Sequence, residues 1–344
     1  MDALDIRILR ELTQAQSVLP ARPGLGSPYR EIAKRLRISA GTARNRIKNM
    51  YHSGVLTGTS AYANPRLLGL EVGAYALDVS NSLPKQDVIE KLKLIEGMLF
   101  IQNFHGSMIG LAFAYENQRN LQRKLALFKG IAGTADGVFS QVEYPTCTSA
   151  SALSFLDWML IARLTRGDGF RSYSQLAREM RISVRTLKRR LARLVTTRAL
   201  LSVPTMDYRA ITGSVPADVL VSFTSREQRV DAEKKILELL GEVMIYAGAW
   251  ADFGLYSTIL AKIVTATELV ERIRKIHGVG LARVEFVYEH IDQARTLSEY
   301  VERRIAILKE SGYYSPNRKL LPNREQVQEQ QQLQTAAAII PSRN

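Results

Sequence analysis

The chain of 344 residues is 46% hydrophobic and 23% charged, too apolar for disorder and long enough for several independently cored units. No apolar run approaches the ~18 residues of a membrane span, and the N-terminus opens on Asp2, Asp5 and Arg7 instead of a signal-peptide core, so a cytoplasmic protein without membrane contact is expected. The single Cys147 excludes an intrachain disulfide, and His52, His105, His277 and His290 never fall four residues apart, so neither a metal site nor a cofactor is expected.

In chain order, the first well-marked elements are two short helices joined by a tight turn. Pro28 opens one helix, whose apolar face is Ile32, Ala33 and Leu36, and Ile38-Ser39 forms the turn, with Ser39 as N-cap of the next helix. There Ala43, Ile47 and Met50 fall at i, i+4 and i+7 and must face a core. The opposite face then presents Gly41, Arg44, Asn45, Lys48 and His52. A strand at 72–79 leads to a helix with Val88, Leu92 and Ile95, strands at 98–104 and 108–115, a helix with Leu121, Leu125 and Phe128, and a strand at 138–144. Small residues from Thr146 to Ser151 form a linker.

The order then repeats. Aligning Tyr29 with Tyr173 matches Ala33/Ala177, Arg37/Arg181, Ile38/Ile182, Ser39/Ser183, Thr42/Thr186 and Arg46/Arg190 without a gap. Upstream, Leu4, Asp5, Leu12 and Thr13 match Leu156, Asp157, Leu164 and Thr165, so a loop around Pro20, Pro23, Gly24 and Gly26 is longer in the first copy. In the second helix pair Leu187, Leu191 and Leu194 are the expected buried set, and Arg185, Lys188 and Arg189 project outward. Downstream come strands at 219–223, 243–247, 255–263 and 281–288, with helices at about 230–240 and through Leu269, Ile273 and Ile276. Gly130 and Gly278 are expected to cap the last helix of each half. The order β-α-β-β-α-β is that of a ferredoxin-like split motif, with helices on one sheet face and the other face left for a second sheet to cover. A further helix follows Leu297, then a Gln-rich tail through Gln326 and Gln334.

Charge is concentrated in the repeated segments. Residues 29–50 carry a net +6 and residues 171–198 a net +8, which together account for the whole +14 of the chain. Two short cationic segments on an otherwise balanced protein are the footprint of polyanion binding. Small, polar and basic residues on an exposed helix face suit the major groove, where Arg and Lys donate to guanine and Asn pairs with adenine. Arg46 and Arg190 lie on the helix flank with Arg193, Arg37 and Arg181, where phosphate contact and intramolecular ion pairing both remain open. Ser39 and Ser183 are primarily caps, compatible with a phosphate at the same helix end. Tyr29 and Tyr173 either touch the DNA backbone or pack.

The pattern Leu4-Asp5-x-x-Ile8-Leu9, Ile32-Ala33, Ile38-Ser39-x-x-Thr42-Ala43-x-x-Arg46-Ile47 and Gly54-Val55-Leu56 resembles the Lrp/AsnC (feast/famine) transcription regulators. The resemblance covers residues 1–292, twice over, and departs where Gly54-Val55-Leu56 becomes Arg198-Ala199-Leu200. It implies an α+β fold of two tandem copies of a winged helix-turn-helix followed by a ferredoxin-like domain. The expected boundaries are 1–64 and 65–145, then 152–206 and 207–292, with a C-terminal helix and tail over 293–344. It implies a DNA-binding set of Arg37, Ser39, Gly41, Thr42, Arg44, Asn45, Arg46 and Lys48 in the first head, and of Arg181, Ser183, Arg185, Thr186, Lys188, Arg189, Arg190 and Arg193 in the second. The implied partners are double-stranded DNA, an amino-acid-like effector, and either further copies of the chain or an intramolecular pseudo-dimer.

The run Gly248-Ala249-Trp250-Ala251-Asp252 resembles the family's effector-site turn with one residue inserted, so Gly248, Trp250 and Asp252 are candidate effector contacts; a plain hairpin turn with a solvated Asp is the simpler alternative. Siroheme decarboxylases, enzymes of related domain order, are the rival: Val18-Leu19-Pro20-x-Arg22-Pro23 is similar to their inter-helix segment. No His-rich strand is present for tetrapyrrole propionates, and two cationic helices would have no purpose in such an enzyme, so a non-enzymatic regulator is expected.

Overall fold

The computed structural model describes residues 1–14, 28–166, 172–250 and 252–310. The Pro- and Gly-rich loop of the first copy and the Gln-rich run lie outside these residues. Helices α1 (Ala3–Gln14), α2 (Pro28–Leu36) and α3 (Ala40–His52) precede strand β1 (Leu56–Ala63). The first α/β set follows: β2 (Glu71–Asp78), α4 (Lys85–Leu92), β3 (Met98–Phe104), β4 (Met108–Tyr115), α5 (Gln118–Ala132) and β5 (Val138–Val142). The second half repeats this order with α6 (Phe155–Thr165), α7 (Tyr173–Glu179), α8 (Val184–Thr196), β6 (Leu200–Met206), β7 (Val215–Phe223), α9 (Arg226–Leu240), β8 (Met244–Trp250), β9 (Phe253–Leu260), α10 (Ile263–Arg274) and β10 (Val279–Asp292). Helix α11 (Leu297–Glu310) closes the described chain.

The spatial orders β5-β2-β4-β3 and β10-β7-β9-β8 are those of the split motif: in each set the first and third strands are central and antiparallel neighbours. The fold is therefore α+β, with two such sets. On the helical face of the first, Tyr75, Ile109, Leu111 and Phe113 alternate inward against Val88, Leu92, Leu121 and Phe128. On that of the second, Val219, Val221 and Tyr256 meet Ile236 and Ile273.

The two sets join edge to edge, and their opposite faces are covered mainly by other elements, Leu297 and Tyr62 on the first and the first helical head on the second. β10 pairs with β7 over Val279 to Phe286, is bulged between Val287 and Glu289, and continues along β3 as far as Asp292, which makes one eight-stranded antiparallel sheet. Phe104 and Met108 of the first set then pack with Leu220 and Val287 of the second. β1 and β6 pair antiparallel as a separate two-stranded sheet that joins the two helical heads. No described helix is long and apolar enough to cross a membrane.

Two expectations about helix ends fail. α5 runs past Gly130 because Ala132 still faces the core, and its cap is Gly133, in the left-handed region at φ 65°. A side chain at Gly130 would meet nothing within 4 Å, so that glycine has no steric role. α10 is capped by Lys275, and Gly278 lies beyond it at φ 92°. β9 stops at Leu260, and Ile263, expected in the strand, opens α10.

Candidate nucleic-acid interface

Each head is built on the same local chemistry. Ser39 accepts the Thr42 backbone N–H at 2.9 Å and Ser183 that of Thr186 at 3.1 Å, so each serine satisfies one of the unpaired donors at the start of α3 or α8. Between the helices, Arg37 and Arg181 take left-handed backbone angles (φ 55° and 53°), with Ile38 and Ile182 donating back to the carbonyls of Ala33 and Ala177. A non-glycine residue there carries a strain of about 1 kcal/mol. The turn thereby projects an arginine from each head, and both are exposed.

The periodicity places α3 and α8 as read from the sequence. Ala43, Ile47 and Met50 are buried, as are Leu187, Leu191 and Leu194. Gly41, Thr42, Arg44, Asn45 and Lys48 are exposed, as are Arg185, Lys188 and Arg189, with Thr186 half-buried. Among the described residues no acidic side chain pairs with these cations. Arg193 is exposed and donates to the Ala152 carbonyl at 2.9 Å.

Arg46 and Arg190 have carboxylate partners within the chain. Arg46 Nη1 lies 2.5 Å from Asp2 Oδ2 and 3.3 Å from Asp5 Oδ1. Arg190 Nη1 lies 2.8 Å from Asp157 Oδ1 and 3.0 Å from Ser154 Oγ. Asp157 is wholly buried and also closes the capping box of α6. In both heads, then, the flank arginine ties the third helix, α3 or α8, to the first helix of its own head or the residues that open it. The acids Asp2, Asp5 and Asp157 were not singled out from the sequence as ion-pair partners, although the match of Asp5 with Asp157 and of Arg46 with Arg190 was visible there.

The hairpin from Gly248 to Asp252 joins β8 and β9. Gly248 is half-buried, Trp250 ends β8, and Ala251 lies outside the described residues. Asp252 is exposed and its carbonyl accepts the Phe223 N–H at 2.8 Å.

Two polar features of the sheet also escaped sequence reading. Asp218 is buried on the non-helical face of β7; its Oδ1 has no hydrogen-bond partner, and burial pushes its carboxyl up to about 6. His290 Nδ1 meets Gln102 Oε1 at 2.6 Å across the β10–β3 seam. The visible signal for Asp218 was a lone acid in the apolar run Val215–Phe223.

No family model matches the chain. Over 114 residues it is 30% identical to the HTH-type transcriptional regulator Ptr1 of Methanocaldococcus jannaschii, an alignment spanning 33% of this chain and 71% of that protein. Over 94 residues it is 34% identical to the regulatory protein AsnC of Haemophilus influenzae, spanning 27% of this chain and 57% of AsnC. Among solved structures, the siroheme decarboxylase NirDL superposes with a TM-score of 0.51 at 14% identity, covering 90% of this chain and all of its own, a likeness of fold alone. At 30% identity across 71% of Ptr1, the chain belongs to the Lrp/AsnC family.

Proposed function

We propose that this chain is a sequence-specific DNA-binding transcription regulator, not an enzyme, acting in the cytoplasm through two unlike reading heads. The observation that carries the reading is the exposed cationic face repeated on α3 and α8, with Arg44, Asn45 and Lys48 on one and Arg185, Lys188 and Arg189 on the other, none of them paired with an acid among the described residues. The relatives Ptr1 and AsnC, both regulators by name, support it.

One chain supplies both heads. A single-headed regulator dimerises to set two identical recognition helices roughly 34 Å apart and so reads a palindrome. Here Gly41, Arg44 and Asn45 correspond to Arg185, Lys188 and Arg189, so the minimal site has unlike half-sites. An amino-acid-like effector at Gly248, Trp250 and Asp252, and association of further chains, belong to the same proposal. Docking of both heads neutralises about 6 to 10 phosphates and makes log K fall steeply with log salt.

The test is site selection from a random DNA library, followed by triple substitution to alanine of Arg44, Asn45 and Lys48 or of Arg185, Lys188 and Arg189. Loss of specific binding with little change in melting temperature is expected, because these side chains point away from the cores. Undiminished binding by the chain carrying both triple changes overturns the assignment, and a strictly palindromic site bound by one chain overturns the unlike half-sites.

A further inference from the structure

The cations of each head fall into two kinds by what holds them. Arg46 and Arg190 are held by carboxylates. Lys188 is held by an aromatic ring: its Nζ lies 5.3 Å from the centroid of Tyr173, the first residue of α7. Tyr173 is half-buried and packs against the core of its own head, so the ring is a fixed platform. Glu179, the acid in the same helix, is occupied by Arg163 at 2.8 Å and Gln175 at 2.8 Å.

The first head carries the same residue classes at matching positions. Tyr29 stands where Tyr173 stands and Arg44 where Lys188 stands. Tyr29 packs against the core of that head, and its phenol, pushed up by burial, is drawn partly down again by the charge of Arg44 beside it. The cation differs between heads while the aromatic residue is the same.

We infer that Tyr173 is a positioning residue that holds Lys188 for base contact. This rests on the DNA-binding reading above and gives it a mechanism. A long cationic side chain loses rotamer freedom when it docks on a base, and a ring that holds it beforehand reduces that loss. A carboxylate would also hold it, but would neutralise the charge and repel the phosphates nearby. The ring orients the cation while leaving its charge and its donors available to the base.

The test uses the full chain on its selected site and on sites changed at the base pairs read by the second head. Tyr173→Leu is expected to weaken binding about two- to fivefold and to flatten discrimination at those pairs, and Tyr173→Phe, which keeps the ring, is expected to restore both. In a Lys188→Met background Tyr173→Leu is expected to have no further effect. If Tyr173→Phe loses as much as Tyr173→Leu, the phenol acts by its hydroxyl and the inference falls. It falls equally if the Leu effect persists in the Lys188→Met background, or if melting temperature drops while discrimination is unchanged. Failure of the wild-type chain to select any sequence overturns the DNA-binding reading itself, and the positioning role with it.

Discussion

The first head closes its core with residues from far along the chain: Ile211, Ile245 and Ile259 of the second half pack with Ile8, Ile32 and Ile47. Arg10 reinforces the contact by donating to the carbonyls of Met244, at 2.8 Å, and of Gly241, while Thr13 donates to Ile245 at 2.7 Å. The second head does not lean on the first α/β set in the same way. There β3 is already paired with the extension of β10, and α11 supplies the support: Val301 and Ile305 join Trp158, Leu187 and Leu191, together with Ala63 and Leu67 of the first half. Two heads of the same build are thus anchored to different surfaces, and the symmetry of the repeat is broken in the packing as well as in the exposed residues of α3 and α8. Each head stands on residues from the other half, so neither half is a self-sufficient unit.

The largest expected effect tests that difference at its centre. Trp158 is wholly buried in the second head, and its counterpart in the first is Ile6, at 7% exposure. Trp158→Ala should cost about 3–5 kcal/mol and Ile6→Ala about 2 kcal/mol, from the apolar surface lost and the cavity left. Urea denaturation followed by amide exchange in α8 and α3 reads both; equal costs would mean that the two heads are equally supported.

The flank arginines sharpen the same comparison. Arg190→Ala leaves Asp157 fully buried without its countercharge, a loss of about 3 kcal/mol. Arg46→Ala leaves Asp2 half exposed and Asp5, though only 14% exposed, still in reach of solvent, and the cost should be smaller, about 1 kcal/mol. If both changes cost the same in melting experiments, the ion pair of the second head is not the buried one.

On the non-helical face of β7, Asp218 predicts a pH dependence. An unfolded chain releases this proton near 3.8, the folded one near 6, so the folded state binds more protons in between and stability falls as pH rises through that window. Above it, the buried carboxylate costs on the order of 3 kcal/mol. Asp218→Asn should match the wild type near pH 4 and exceed it by up to about 3 kcal/mol at pH 8 in urea denaturation. An unchanged pH slope would show that the carboxylate is solvated on that face of β7.

Much of this was legible in residue order because it is local. The caps Ser39 and Ser183, the buried triads of α3 and α8 and the strand order of each half follow from side-chain period and from single residues at helix ends. The anchoring of the heads was not legible, because Ile245 and Ile259 read as ordinary strand residues whether they face a helix of their own half or a head from the other. The run of β10 past Tyr288 was hidden for a similar reason. Glu289 to Asp292 has no strong alternation of its own, and pairing with β3, remote in sequence, is what extends it. For the flank arginines phosphate contact and ion pairing stayed open in the sequence, because charge is visible there and the carboxylate opposite is not.

The smallest expected effect lies at the exit of the recognition helix. Gly54 follows α3 at φ 79° and Arg198 follows α8 at φ 55°, at matching positions of the repeat. Both sit in the left-handed turn that ends a helix: Gly54 N–H bonds to Tyr51 O at 3.2 Å, Arg198 N–H to Val195 O at 3.0 Å and Ala199 N–H to Leu194 O at 2.9 Å. Glycine adopts this conformation freely, whereas arginine pays about 1 kcal/mol in contact between its Cβ and the backbone. Arg198→Gly removes that strain but lets the unfolded chain gain entropy, so the net gain is about 0.5 kcal/mol. Gly54→Ala acts in the opposite direction, with a loss of about 1 kcal/mol, even though the nearest atom to the new Cβ, that of Ala210, is an unstrained 3.7 Å away. Amide exchange of α8 and β6 measures the first change and that of α3 and β1 the second. Opposite signs are expected; the same sign in both would mean that the two exits are not equivalent turns despite their matching register.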